Sequence, residues 1–160
     1  MKMKINVKTD VPRPSFDEYF LNLAFAVSVR SDDLYIKHGA TIVSKQNHIL
    51  GTGYNATIRG SNLNLIPKDR DLRRPYMIHA EENAILNCMV NPLTVGGAKI
   101  YVTGLSCVPC LQRLINFGIT EVYYANRAGS ITESVETDIM RQNILGMSKI
   151  KMIYMDIEDA

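Results

Sequence analysis

The sequence contains no tryptophan and only four phenylalanines, so the aromatic platforms on which single-stranded nucleic acids stack are scarce. A formal net charge of +2 does not provide a strongly basic surface either. No apolar run approaches the ~20 residues that span a bilayer. The opening MKMKINVKTD carries lysines but no apolar core, so it does not read as a secretory signal. The expectation is a cytoplasmic protein whose thiols stay reduced. That weakens a disulfide reading of the three cysteines, Cys88, Cys107 and Cys110. The 160 residues suit one domain, taken here as 1–160.

Pro14 followed by Ser15-Phe16-Asp17-Glu18 predicts a capped helix start, and Phe20, Leu23, Ala24 and Val27 then recur at helical spacing. GATIV (39–43) and HILGTGY (48–54) read as strands joined by the polar SKQN. Residues 56–78 lack periodicity and hold PKDRDLRR, and a loop of that length in a compact domain is either functional or ordered by something else. A helix follows over 79–88, a strand over 99–104 and a helix over 110–118 closed by Gly118. The remaining elements are a strand over 119–125, a helix over 132–145 ended by Gly146, and a strand over 149–155. The alternation predicts a five-stranded mixed sheet with right-handed crossovers and helices on both faces.

Two short motifs carry chemistry. His79 and Glu81 open one predicted helix, and Cys107 and Cys110 open the next. Taken alone, Cys-x-x-Cys can be a redox couple, a core pair or half of a metal site. Helices that start at one sheet edge let all four side chains converge, and a helix N-terminus favours the thiolate that binds metal. One imidazole and two thiolates leave the fourth position of a tetrahedral Zn²⁺ open, as in catalytic sites. The order also matches the H-x-E…P-C-x-x-C pattern of zinc nucleobase deaminases. Glu81, two residues from His79, stands where a proton shuttle belongs. Cys88 reads as a core residue, and His38 and His48 as ordinary strand-end residues, which predicts one zinc per chain.

Together with RSDD (30–33), HGATIV (38–43), GTGYN (51–55), RPYMIHAEENAILN (74–87), YVTGLSCVPC (101–110) and LINFGITEV (114–122), these motifs resemble the deoxycytidylate (dCMP) deaminase family of the cytidine deaminase superfamily. The resemblance runs from about Phe20 to Tyr154. It implies a cytidine-deaminase-like three-layer α/β/α sandwich and hydrolytic deamination of dCMP to dUMP plus ammonia. Zinc-activated water would attack C4 while Glu81 shuttles the proton. Asn55 matches the asparagine that holds the sugar 3′-hydroxyl, the backbone N–H of Ala80 is a candidate for the pyrimidine carbonyl, and Arg30 is assigned to the phosphate. A solvated helix-end cation is the rival reading of Arg30. KDRDLRR can add basic groups near the mouth of the site, but Asp69 and Asp71 interrupt it and it reads first as a solvated loop. The stretch around Gly53 and Tyr54 belongs to the region where relatives bind dCTP as activator or dTTP as inhibitor, with Mg²⁺. Relatives assemble as hexamers, so a homo-oligomer is expected.

Three departures stand out. Ser106 replaces the usual proline before the first cysteine, and it is a candidate to cap the helix that Cys107 enters. Ala56 replaces the glycine after GYN, which leaves regulation open. NRAGSI (126–131) replaces a tyrosine followed by an acidic motif, which leaves the pocket wall, and dCMP against dCTP as substrate, open. Two other classes are weighed. One is a deaminase of a base within nucleic acid, as in the tRNA adenosine deaminases; the other is a non-catalytic zinc-stabilised or nucleotide-sensing module, which has no need of Glu81.

Overall fold

A computed structural model describes residues 10–88, 95–126 and 133–157. Helix α1 spans Phe16–Ser28, and its start is the expected capping box: Ser15 Oγ accepts from Glu18 N at 3.2 Å and Glu18 Oε2 accepts from Ser15 N at 2.6 Å. Strands β1 (Gly39–Val43) and β2 (Ile49–Tyr54) form the hairpin. Its turn closes through Asn47 at φ 64°, a left-handed position that asparagine tolerates better than most residues. The segment 56–78 holds the short helix α2 (Arg70–Arg73), and after it come α3 (Ala80–Cys88), β3 (Lys99–Val102), α4 (Val108–Phe117), β4 (Glu121–Tyr124), α5 (Val135–Met147) and β5 (Lys151–Tyr154).

The sheet order is β2-β1-β3-β4-β5. Strand β1 is antiparallel to both neighbours, while β3, β4 and β5 run parallel through the crossovers α4 and α5. All five residues of β1 are buried, because both of its faces are covered. On one face Val43 and Tyr101 pack with Phe20 and Leu21 of α1; on the other Ala40, Ile42, Ile100, Val102 and Val122 meet Ala84, Cys88, Leu111 and Leu114. This is the expected three-layer sandwich.

Alternating glycines set how close α3 lies on β2. A Cβ on Gly53 would stand 2.2 Å from Ala84 N, and one on Gly51 2.6 Å from Cys88 Sγ. The Asn83 side chain fastens the same contact by donating to Tyr54 O at 2.8 Å. Cys88 is a core residue, and burial pushes its thiol up to about 11.

Two local expectations need correction. Helix α5 runs through Gly146 to Met147, because one exposed glycine in a last turn costs too little to stop a helix. Ser106 does not cap α4: the N-cap is Cys107, one residue later, and the Ser106 hydroxyl is buried beside Glu81. Gly118, at φ 99°, does close α4 as expected.

Candidate metal and active site

The strand-edge geometry brings His79, Cys107 and Cys110 together. His79 precedes the first residue of α3, Cys107 caps α4 and Cys110 lies in its first turn. His79 Nδ1 is 3.4 Å from Cys107 Sγ and 3.3 Å from Cys110 Sγ, and the three donor atoms lie within 4.8 Å of one another. A tetrahedral zinc, with bonds of ~2.3 Å to sulfur and ~2.0 Å to nitrogen, separates such donors by about 3.5 Å. The trio therefore fits zinc in spacing and in donor chemistry. Among the described residues it is the one such cluster of three.

Of the three groups, the electrostatics hold only Cys107 in its metal-binding form. Hydrogen bonding from Cys110 holds the Cys107 thiol down to about 4, with His79 adding to the effect, while the same bond and burial push Cys110 up. His79 is raised to about 8, first by its hydrogen bond with Cys107. Glu81, on the first turn of α3, is buried, and burial raises its pKa above the ordinary 4.5. Its own backbone N–H, the nearby Ser106 hydroxyl and His79 act in the opposite direction.

These groups open into a cavity of about 900 Å³, room enough for a nucleotide-sized ligand. Glu81, His79, Ala80, Asn55 and Cys107 all line it. Asn55 uses much of its side chain internally. Its Nδ2 donates to Ile36 O at 2.8 Å and to Asp33 Oδ2 at 3.2 Å, and its Oδ1 accepts from His38 N at 2.7 Å. Arg30 is exposed just beyond α1 and does not line the cavity. Gly53 and Tyr54 do not line it either, and Gly53 is committed to the α3 contact. Of NRAGSI, Asn126 lines the cavity and 127–131 lie outside the described residues.

Several lining residues were not singled out by sequence. His38 is one, which corrects its reading as an ordinary strand-end residue. Its Nδ1 lies 3.1 Å from Thr103 Oγ1, and its ring lies against Gly104, where a Cβ would stand 2.7 Å from Cε1. Arg70, Arg73 and Arg74 come from the aperiodic segment, and Arg141 with Glu133 from the start and middle of the last helical region. The basic run was a visible signal. The Arg141–Glu133 pair had none, because it depends on how α5 docks.

A profile of the cytidine and deoxycytidylate deaminase zinc-binding region matches residues 14–126. The chain belongs to that family. Within it, the chain is 39% identical over 113 residues to the deoxycytidylate deaminase of Mus musculus, a match covering 67% of this chain and 62% of that one. To the deoxycytidylate deaminase of Homo sapiens it is 33% identical over 142 residues, covering 85% and 79%. Among solved structures, the dCMP deaminase of cyanophage S-TIM5, in complex with dCMP and dUMP, superposes with a TM-score of 0.71 at 25% identity, over 91% of this chain and all of the other. No helix among the described residues is long and apolar enough to cross a membrane.

Proposed function

We propose that this deaminase-family protein hydrolyses dCMP to dUMP and ammonia. The observation that carries the reading is a buried carboxylate, Glu81, two residues from one ligand of a His-Cys-Cys cluster at the floor of a nucleotide-sized cavity. The dCMP and dUMP bound by the superposed phage enzyme and the names of the sequence relatives support the choice of substrate.

His79, Cys107 and Cys110 would hold zinc, which when bound lowers the pKa of a coordinated water to about 7. The chain's own groups do the rest. Ionised Glu81 takes a proton from the attacking water and passes it to N3 of the pyrimidine. It then carries the second proton to the departing amine, so that ammonia leaves and a carbonyl remains at C4. Burial raises the basicity of Glu81 and suits it to both transfers. The Ala80 N–H orients the pyrimidine carbonyl. Asn55, with Asp33 beside it, meets the sugar 3′-hydroxyl by exchanging the 3.2 Å contact between them for one to the substrate.

Three finer points belong to the same reading: control by dCTP and dTTP with Mg²⁺ through the stretch that includes Gly53 and Tyr54, turnover of dCTP itself, and hexameric assembly in the cytoplasm. The test is loss of cytosine absorbance with dCMP, dCTP, deoxycytidine and CMP, each with and without added dCTP or dTTP and Mg²⁺. Turnover of dCMP that vanishes in Glu81→Gln supports the reading. No turnover of any free nucleotide by zinc-loaded protein would sink it and redirect attention to nucleic-acid substrates.

A further inference from the structure

Resting on that reading, we infer that the substrate phosphate is taken by Arg70 and Arg74, carried over the cavity by the segment between β2 and α3. By sequence the run KDRDLRR reads first as a solvated loop. The structure folds it back. Asp32 holds both ends: its carboxylate accepts from Thr57 N at 3.2 Å and Thr57 Oγ1 at 2.6 Å, and its carbonyl accepts from Arg73 Nη2 at 2.9 Å. A further bridge pairs Ala56 with Ile78. Between these ties, Asp69 caps the short helix α2 (Arg70–Arg73), accepting from Asp71 N at 3.0 Å and Leu72 N at 3.1 Å. The result is a rigid wall rather than a free loop.

Among the described residues four arginines line the cavity, and two of them are committed to the protein. Arg141 is buried and paired with Glu133, with Nη2 2.6 Å from Oε1. Arg73 is buried, with its guanidinium on the carbonyls of Asp32 and Pro67. Arg70 and Arg74 differ. Arg70 lies over the Tyr35 ring, 5.8 Å from its centroid, a contact that orients the guanidinium without neutralising it. Arg74 meets Asp71 at 3.1 Å, but Asp71 is 82% exposed and water screens that contact. A phosphomonoester, with about two negative charges near neutral pH, is the group that a pair of forked, always-charged donors recognises. Buried Arg73 adds positive charge to the same wall. Arg30 stands outside the cavity, so this wall and Arg30 are competing candidates for one role.

The experiment compares the zinc-loaded wild type with R70Q/R74Q and with R30Q. KM is measured for dCMP and deoxycytidine, and dissociation constants for dUMP and deoxyuridine by calorimetry. In R70Q/R74Q, dCMP KM and dUMP dissociation should each rise by about tenfold or more, the scale of lost charge-assisted bonds. The two nucleosides should be handled as by wild type, which also shows that the fold is intact, and R30Q should leave the phosphate preference in place. Loss confined to R30Q, equal loss for nucleotide and nucleoside, or unchanged dUMP affinity in R70Q/R74Q would each overturn the assignment. A wild type that treats dCMP and deoxycytidine alike would overturn it too, with the deamination chemistry still standing. A wild type that deaminates no free nucleotide fails at the earlier reading instead.

Discussion

Arg141 donates through Nη2 to the backbone carbonyl of Ser106 at 3.0 Å, one residue before Cys107 of the candidate metal site. This bond couples the docking of α5 to the loop that presents the metal site. Both partners are buried, and Arg141 also holds Glu133 and lies 3.9 Å from Asp138. R141M should therefore destabilise the protein by about 3 kcal/mol, since breaking one side of a buried ion pair leaves the other uncompensated. Zinc affinity should fall by roughly tenfold, as when groups that orient metal ligands are removed. Denaturant unfolding and competition with a zinc chelator measure the two effects. An unchanged zinc affinity would restrict Arg141 to a structural role.

Glu81→Gln should abolish turnover while zinc content stays at that of the wild type. Glutamine keeps the shape but cannot shuttle a proton, and such groups contribute roughly 10²–10⁴-fold in rate. Metal analysis and initial rates on the same preparation decide the matter. Loss of zinc along with activity would point to a ligand role instead.

The same carboxylate makes stability pH-dependent. Its pKa in the folded protein is raised above 4.5, mainly by burial, so folding disfavours its ionised form. Wild type should lose stability relative to Glu81→Gln as pH rises from 4.5 through the raised value, and the gap should close again on acidification. Thermal melts of both proteins across the acidic-to-neutral range test this, and a gap that widens on acidification would contradict the sign. In catalysis, the acidic limb of the rate profile should lie at higher pH than an ordinary carboxylate gives.

Gly53→Ala should destabilise by about 3 kcal/mol, the upper part of the range for overpacking a close contact. The added Cβ would lie 2.2 Å from Ala84 N and 2.4 Å from Ala80 O, both backbone atoms of α3. Because Ala80 and Glu81 share that helix, activity should fall with stability. Unchanged melting would mean that α3 can lift from β2 without cost.

Much of the site was legible locally. His79, Glu81, Cys107 and Cys110 sit at helix starts that their own neighbours announce, and the two short motifs, weak singly, point to metal chemistry when they occur together in this order. The strand pattern, the Ser15 cap and the Gly118 stop are likewise local, resting on hydrophobic period and backbone preference. What lay outside local reach was every feature that depends on packing between distant segments. Ser106 looked like a cap, but the helix begins one residue later, and its hydroxyl is buried instead. His38 looked like a strand end until the register of β1 against β3 placed its ring on Gly104, facing the cavity. The aperiodic arginines acquired a position only when Asp32, 41 residues from Arg73 in the chain, tied them down. The sequence by itself determined which atoms could do chemistry, because those needs are written in residue types and short spacings. Which charges reach the cavity, and which are consumed within the protein, was decided only by the tertiary structure, because neutralisation depends on neighbours that the chain order does not reveal.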